Sequence, residues 1–134
     1  MALWYCMPMT IFDFGAGPVP AQQHPNGGGW VADTAYVDEI AYVGPDAWVM
    51  DRAQVLGYAQ VFDKARISED AQVVGNAQVY GRAQVSGRAI IRDWAQVFDQ
   101  AQVYGDAMVA NLAKVYGEAQ VYGTARVLSD AQIF

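Results

Sequence analysis

From residue 35 to residue 131 every sixth residue is alanine, seventeen times without a miss. Two residues after each alanine stands Val or Ile, from Val37 to Ile133, and two further on the chain mostly holds Gly, Asp, Glu, Asn or Ser. The unit is Ala-x-Val-x-Gly-x. A helix advances 100° per residue, so a six-residue period scatters its alanines over three directions and builds no face. In extended chain the Ala and the branched residue point the same way, and the Gly or Asp position supplies a turn. Each hexad therefore reads as a short strand plus a corner.

So small a unit cannot bury its apolar side alone, and neighbouring units must stack into a solenoid. Phe62, Tyr80, Phe98, Tyr116 and Phe134 recur every eighteen residues, which is three hexads. A second column, Gln60, Gln78, Gln96, Lys114 and Gln132, keeps the same step, and Leu56, Val74, Arg92, Ala110 and Leu128 mark another face. The expected fold is all-β: a single-stranded, triangular parallel β-helix of about six coils, roughly 28 Å long at about 4.8 Å per coil. All seventeen alanines and their Val or Ile partners should point inward.

Composition narrows the function. The chain has 134 residues, 54% hydrophobic and 16% charged, which suits one compact domain. A net charge of −6 with no basic run gives no footprint for a nucleic-acid backbone or an anionic membrane. The apolar opening, residues 1–12, is shorter than the roughly 20 residues of a membrane span and lacks a basic flank, so neither a span nor an export signal is expected. Cys6 is the single cysteine, which permits no internal disulfide and no zinc pattern, and a cytoplasmic location follows as the expectation.

The hexads resemble those of the hexapeptide-repeat proteins, whose pattern Val79-Tyr80-Gly81-Arg82-Ala83-Gln84 matches at its aliphatic and small sites; Tyr80 departs from it. The strict Ala-x-Val-x-Gly-x form, after His24-Pro25-Asn26-Gly27-Gly28-Gly29-Trp30-Val31, is similar to uncharacterised repeat proteins of bacterial and phage genomes. The resemblance covers residues 29–134 and implies a left-handed coil and a bacterial or phage-infected cell. Residues 1–28 lack the period. With Trp4, Tyr5, Phe12 and Phe14 ahead of the turn-rich stretch 15–20, they read as an N-terminal cap and linker over the open first coil. Phe134 at the other end should fold over the last coil or be covered by another molecule.

The enzymes that this resemblance brings in, acyltransferases and histidine-metal carbonic anhydrases, imply histidines on the coils and a loop extruded from a corner. Seventeen unbroken hexads carry neither. His24, outside the repeat, reads as a solvated loop residue. Gly15-Ala16-Gly17 runs into Pro18 rather than a helix, so it is no phosphate loop. Asp51, Glu69, Asp70 and Asp106 cluster near one corner column, and solvated turn carboxylates are a better reading there than a calcium site. No catalytic, metal or cofactor site is expected.

Two surfaces remain. The column Phe62, Tyr80, Phe98, Tyr116 and Phe134 is either an aromatic platform for a ligand or coil-to-coil glue, and glue is the preferred reading. The face with Leu56, Val74 and Leu128 also carries Ile90, Arg92, Met108 and Ala110, and its corner holds Tyr58, Trp94 and Leu112, apolar where the core needs none. These residues, centred on Ile90, Arg92, Trp94, Met108, Ala110 and Leu112, form the expected protein interface. The sequence thus points to a non-enzymatic scaffold that self-associates as a dimer or trimer or binds a host protein. The alternatives are a phage-type inhibitor of a host protein or nucleic-acid-handling machine, and a degenerate hexapeptide-family transferase.

Overall fold

The computed structural model describes residues 10–134. Trp4, Tyr5 and Cys6 lie outside the described residues. Each hexad is a two-residue strand followed by a tight turn, as where Gln78–Val79 is followed by an Ala83 N–H that donates to the Tyr80 carbonyl at 3.3 Å. From Asp51 onward the first central residue of each turn has positive φ. Where the chain does not use Gly there, it uses Asp51, Asp63, Glu69, Asp93, Asp99, Asn111 or Ser129, with φ between 56° and 61°. Short polar side chains tolerate that region and branched ones do not, which explains the small or acidic fifth position of the repeat.

Strands eighteen residues apart pair in parallel and in register, forming three sheets. The first face carries Trp48–Val49, Arg66–Ile67, Gln84–Val85, Gln102–Val103 and Gln120–Val121. The second runs from Tyr36–Val37 through Gln54–Val55, Gln72–Val73, Ile90–Ile91 and Met108–Val109 to Arg126–Val127. The third runs from Tyr42–Val43 through Gln60–Val61, Gln78–Val79, Gln96–Val97 and Lys114–Val115 to Gln132–Ile133. Outward residues tie each coil to the next: Gln78 N–H donates to the Ala95 carbonyl and Tyr80 N–H to the Val97 carbonyl, both at 2.9 Å. The result is a parallel β-solenoid of about six coils, as the spacing predicts.

From Ala41 to Ala113 every repeat alanine is fully buried, and so is every branched partner from Val43 to Val115. Alanine at one inward site per face keeps the triangle narrow enough for three sheets to fill their own centre at close packing. Burial is incomplete only at the ends: Ala35 and Ala131 pack against the core but are half-buried, and Ala125 is exposed. These belong to the first and last coils, which have a neighbour on one side only.

The N-terminal segment differs from the expected linker. β1 (Ile11–Asp13) and β2 (Pro18–Gln23) form a hairpin whose turn is held by Asp13, its Oδ1 accepting from Gly15 N–H at 2.7 Å and Gly17 N–H at 3.1 Å. β2 then pairs antiparallel with β3 (Trp30–Ala32), extending the first face beyond its first coil. Residues 24–29 cover the third face instead, with Gly29 N–H donating to the Val43 carbonyl at 2.9 Å and Val43 N–H to the Asn26 carbonyl at 3.1 Å. His24 is buried rather than solvated: its Nε2 sits 2.8 Å from the Ala41 carbonyl oxygen, which also accepts from the Asn26 amide. Among the described residues no strand pairs with the outer edge of Tyr36–Val37 on the second face, where Val31, Ala35, Tyr36 and Val37 line a depression of about 480 Å³.

Candidate functional site

Three edges separate the three faces, and the second central residue of each turn projects from them. Between the first and second faces the column is Thr34, Arg52, Asp70, Arg88, Asp106 and Thr124. Arg52 grips Asp70 with two nitrogens, at 3.0 and 3.1 Å, and Arg88 reaches Asp106 at 2.8 Å. Between the third and first faces the column is Asp46, Lys64, Arg82, Gln100 and Glu118. Between the second and third it is Ile40, Tyr58, Asn76, Trp94, Leu112 and Asp130. On this edge Ile40 is 55% exposed, Tyr58 67%, Trp94 61% and Leu112 57%, so one edge of the prism is an apolar ridge.

The ridge overhangs the third face. Trp94 and Leu112 line a groove of about 470 Å³ together with Asn76, Gln78, Gln96 and Lys114. On its other flank Leu56, Val74, Ile90 and Met108 of the second face are half-buried, while Arg92 and Leu128 are exposed. Arg92 lies 3.9 Å from Asp93, at the outer limit of an ion pair. Ala110 must be removed from the expected interface, because it is fully buried. Its methyl stands in the column between Arg92 and Leu128, and longer neighbours on both sides close over a side chain that short.

The aromatic column forms a continuous stack. Ring centroids from Phe62 through Tyr80, Phe98 and Tyr116 to Phe134 are 4.8, 5.0, 5.1 and 5.4 Å apart, with planes within 20° of parallel. Rings that face one another leave only their edges to solvent, whereas a sugar needs a ring face, so this geometry suits coil-to-coil attraction. Burial in the stack, followed by the charges of Asp99 and Asp63, holds the Tyr80 phenol above its ordinary value of 10.0. Phe134 does not fold over the last coil; it continues the ladder and is 81% exposed.

Two features are absent from the sequence reading. Tyr104 and Tyr122 make a second short ladder on the first face, 5.3 Å apart, and their eighteen-residue separation is the signal that could have found it. The corner acids hold backbone: Asp63 Oδ2 accepts from Gly81 N–H at 3.1 Å, Glu69 Oε1 from Gly87 N–H at 2.9 Å, and Asp99 Oδ2 from Gly117 N–H at 3.0 Å. Asp51 and Asp93 do the same for Glu69 and Asn111. Each acid caps the turn one coil ahead, a role visible as Asp or Glu eighteen residues before the next turn residue.

At the N-terminal end Phe12 stacks on Trp30 at 4.5 Å and meets Trp48 edge-on at 5.4 Å, and the Arg66 guanidinium lies 4.2 Å over the Trp48 ring. This cluster pins the hairpin to the first face. The Nε2 of the one histidine lies 2.8 Å from the Ala41 carbonyl oxygen, and several corner carboxylates hold backbone N–H groups. Among the described residues no three His, Cys, Asp or Glu side chains gather as a metal set, and no helix is long and apolar enough to cross a membrane.

Residues 101–117 match the family model described as the YdcK beta-solenoid repeat, so that stretch is similar to a known solenoid unit. No curated protein and no solved structure matched the chain.

Proposed function

We propose that this chain is a non-enzymatic scaffold, a β-solenoid of the hexapeptide type and left-handed coil, that docks protein through the ridge between its second and third faces. The observation that carries this reading is the ridge itself. Four large apolar side chains stand more than half exposed in one column, while the other two edges hold charged and polar residues. Core packing cannot account for them, since the inward Ala and Val positions are already filled. Exposed apolar side chains rimmed by polar groups, here the pairs Ile40–Tyr58 and Trp94–Leu112 on either side of Asn76, are the surface pattern of an interaction site, and Trp with a neighbouring Arg is the usual composition of its strongest contacts. Absence of coil histidines and of a corner loop supports a role without catalysis, and the lone cysteine supports a cytoplasmic one.

The test compares edges. Immobilised chain should retain its protein partners, copies of itself included, from an extract of its native host. Trp94→Glu with Leu112→Glu should lose that retention, and Arg52→Glu with Arg88→Glu on the charged edge should keep it. Equal retention by both double variants would overturn the docking reading.

A further inference from the structure

We infer that Asn26 is a self-modification site: the Gly27 backbone nitrogen converts its side-chain amide to a carboxylate, and that conversion unfastens residues 24–29 from the third face. The chain has three asparagines, Asn26, Asn76 and Asn111, and of these only Asn26 precedes a glycine. A glycine has no Cβ to shield its nitrogen, so its backbone can approach the preceding side chain closely. Asn26 is open to solvent, and the Gly27 N–H makes no backbone hydrogen bond among the described residues. Closure forms a bond from Gly27 N to Asn26 Cγ and breaks the Cγ–Nδ2 bond, and the Gly27 hydrogen leaves with Nδ2 as ammonia. One water then opens the cyclic imide. Cleavage at Cγ gives aspartate, and cleavage at the backbone carbon gives isoaspartate, whose main chain runs through Cβ and Cγ.

The fold shows why an amide stands at this position. On the second coil the Ala59 carbonyl accepts from the Tyr42 N–H of the coil before, at 3.0 Å. The matching Ala41 carbonyl has no coil before it. It accepts instead from Asn26 Nδ2 at 3.2 Å and lies 2.8 Å from His24 Nε2. Asn26 Nδ2 also donates to the Ile40 carbonyl at 3.2 Å. Corner acids elsewhere face N–H groups, as Asp63 faces Gly81, whereas position 26 faces two carbonyl oxygens and needs a donor. A carboxylate has no hydrogen to give there, and it leaves both oxygens without that partner.

Isoaspartate disturbs the backbone as well. The Asn26 carbonyl, which accepts from the Val43 N–H at 3.1 Å, leaves the main chain as a free carboxylate, and the chain lengthens by one atom. Residues 24–29 have no room for it, since a Cβ on Gly27 or Gly29 would already strike the Val43 carbonyl. The same two bonds that fasten Asn26 also hold the leaving nitrogen, so the reaction proceeds when residues 24–29 open locally. Conversion then prevents them from fastening again. The outcome is a one-way release that bares the outer edge of Tyr42–Val43, and a bared strand edge is able to pair with another chain.

The full chain held at mildly alkaline pH, with peptide mass mapping and amide hydrogen exchange read on the same samples, tests this. Asn26 should convert to aspartate and isoaspartate while Asn76 and Asn111 stay amides. His24→Ala removes one of the two groups at the Ala41 carbonyl, and it should speed conversion about fivefold, the factor that one hydrogen bond of ordinary net worth gives to an opening equilibrium. In converted chain, and in Asn26→Asp, exchange at the Gly29 and Val43 N–H groups should quicken while Val79 keeps its wild-type protection. Asn26 left intact after a free peptide of residues 24–29 has converted in the same buffer overturns the site, and so does equal conversion at Asn76 or Asn111. Conversion with unchanged exchange at Gly29 and Val43 overturns the release. A folded His24→Ala chain that converts no faster than wild type overturns the dependence on local opening.

Discussion

The charged edge, from Thr34 to Thr124, and the apolar ridge, from Ile40 to Asp130, are built on the same turn. Both place a Gly, acid or amide at positive φ, as with Gly87 at +64° and Asn111 at +61°, and both stand over fully buried Ala and Val. They differ in one side chain per turn. On the charged edge those side chains satisfy each other within the chain, Arg52 with Asp70 and Arg88 with Asp106. Trp94 and Leu112 have no such internal solution, because an exposed apolar group gains only when something covers it. The repeat therefore separates folding from recognition: Ala, Val and the turn residue make the rod, and one free position in six decides what an edge does.

The largest effect expected is one that removes both edges at once. Val79→Asp puts a carboxylate where no partner exists, and its cost should exceed about 3 kcal/mol, since charge desolvation adds to the lost burial of a Val-sized side chain. Loss of the strand signal and of cooperative melting would report it. Next come the turns. Gly87→Ala on the charged edge should cost about 1–3 kcal/mol, because a Cβ there would lie 2.7 Å from Gly105 N at a positive φ. Asn111→Gly under the ridge relaxes the same φ but loses the bonds to Asp93 and from Ser129 N–H, so its net change should stay within about 1 kcal/mol. Denaturant midpoints that put these two in the opposite order would show that the turns are not equivalent.

The fold is legible in the sequence because its signal is local and repeated. The inward Ala and Val, the turn position and the eighteen-residue step all follow from side-chain alternation and stacking, seventeen times over. The N-terminal segment is not legible, because β2 holds Pro18 and Pro20 and becomes a strand only by pairing with β1 and β3. His24 is hidden for a related reason: its carbonyl partner, Ala41, lies seventeen residues away across the first coil. In the candidate site, Trp94 and Leu112 stand out as exceptions to a polar column. Ala110 drops out of the interface only once its longer neighbours are seen to close over it.

Smaller effects sharpen the contrast. Arg88→Ala breaks an ion pair whose side chains are 74% and 48% exposed, so solvent screening limits the loss to about 0.5 kcal/mol, less still in high salt. A melting-temperature change beyond that would mean that the charged edge contributes more than solvated pairing. Smallest is an alkaline effect at the ring stack. The raised Tyr80 phenol favours its neutral form in the fold, so its contribution is whole below pH 10.0 and fades as pH rises through the raised value. Tyr80→Phe should flatten the decline in melting temperature above pH 10.0, relative to wild type, while leaving neutral pH almost unchanged.

Hydroxyl-radical footprinting of the wild-type chain in dilute and concentrated solution tests the difference between the edges most directly. Labelling of Tyr58, Trp94 and Leu112 should fall as the protein associates, while Arg52, Arg88 and the rings of the Phe62 to Phe134 stack keep the labelling they have when dilute. Unchanged labelling of the ridge in a demonstrably associated sample, or equal protection of both edges, would contradict the account.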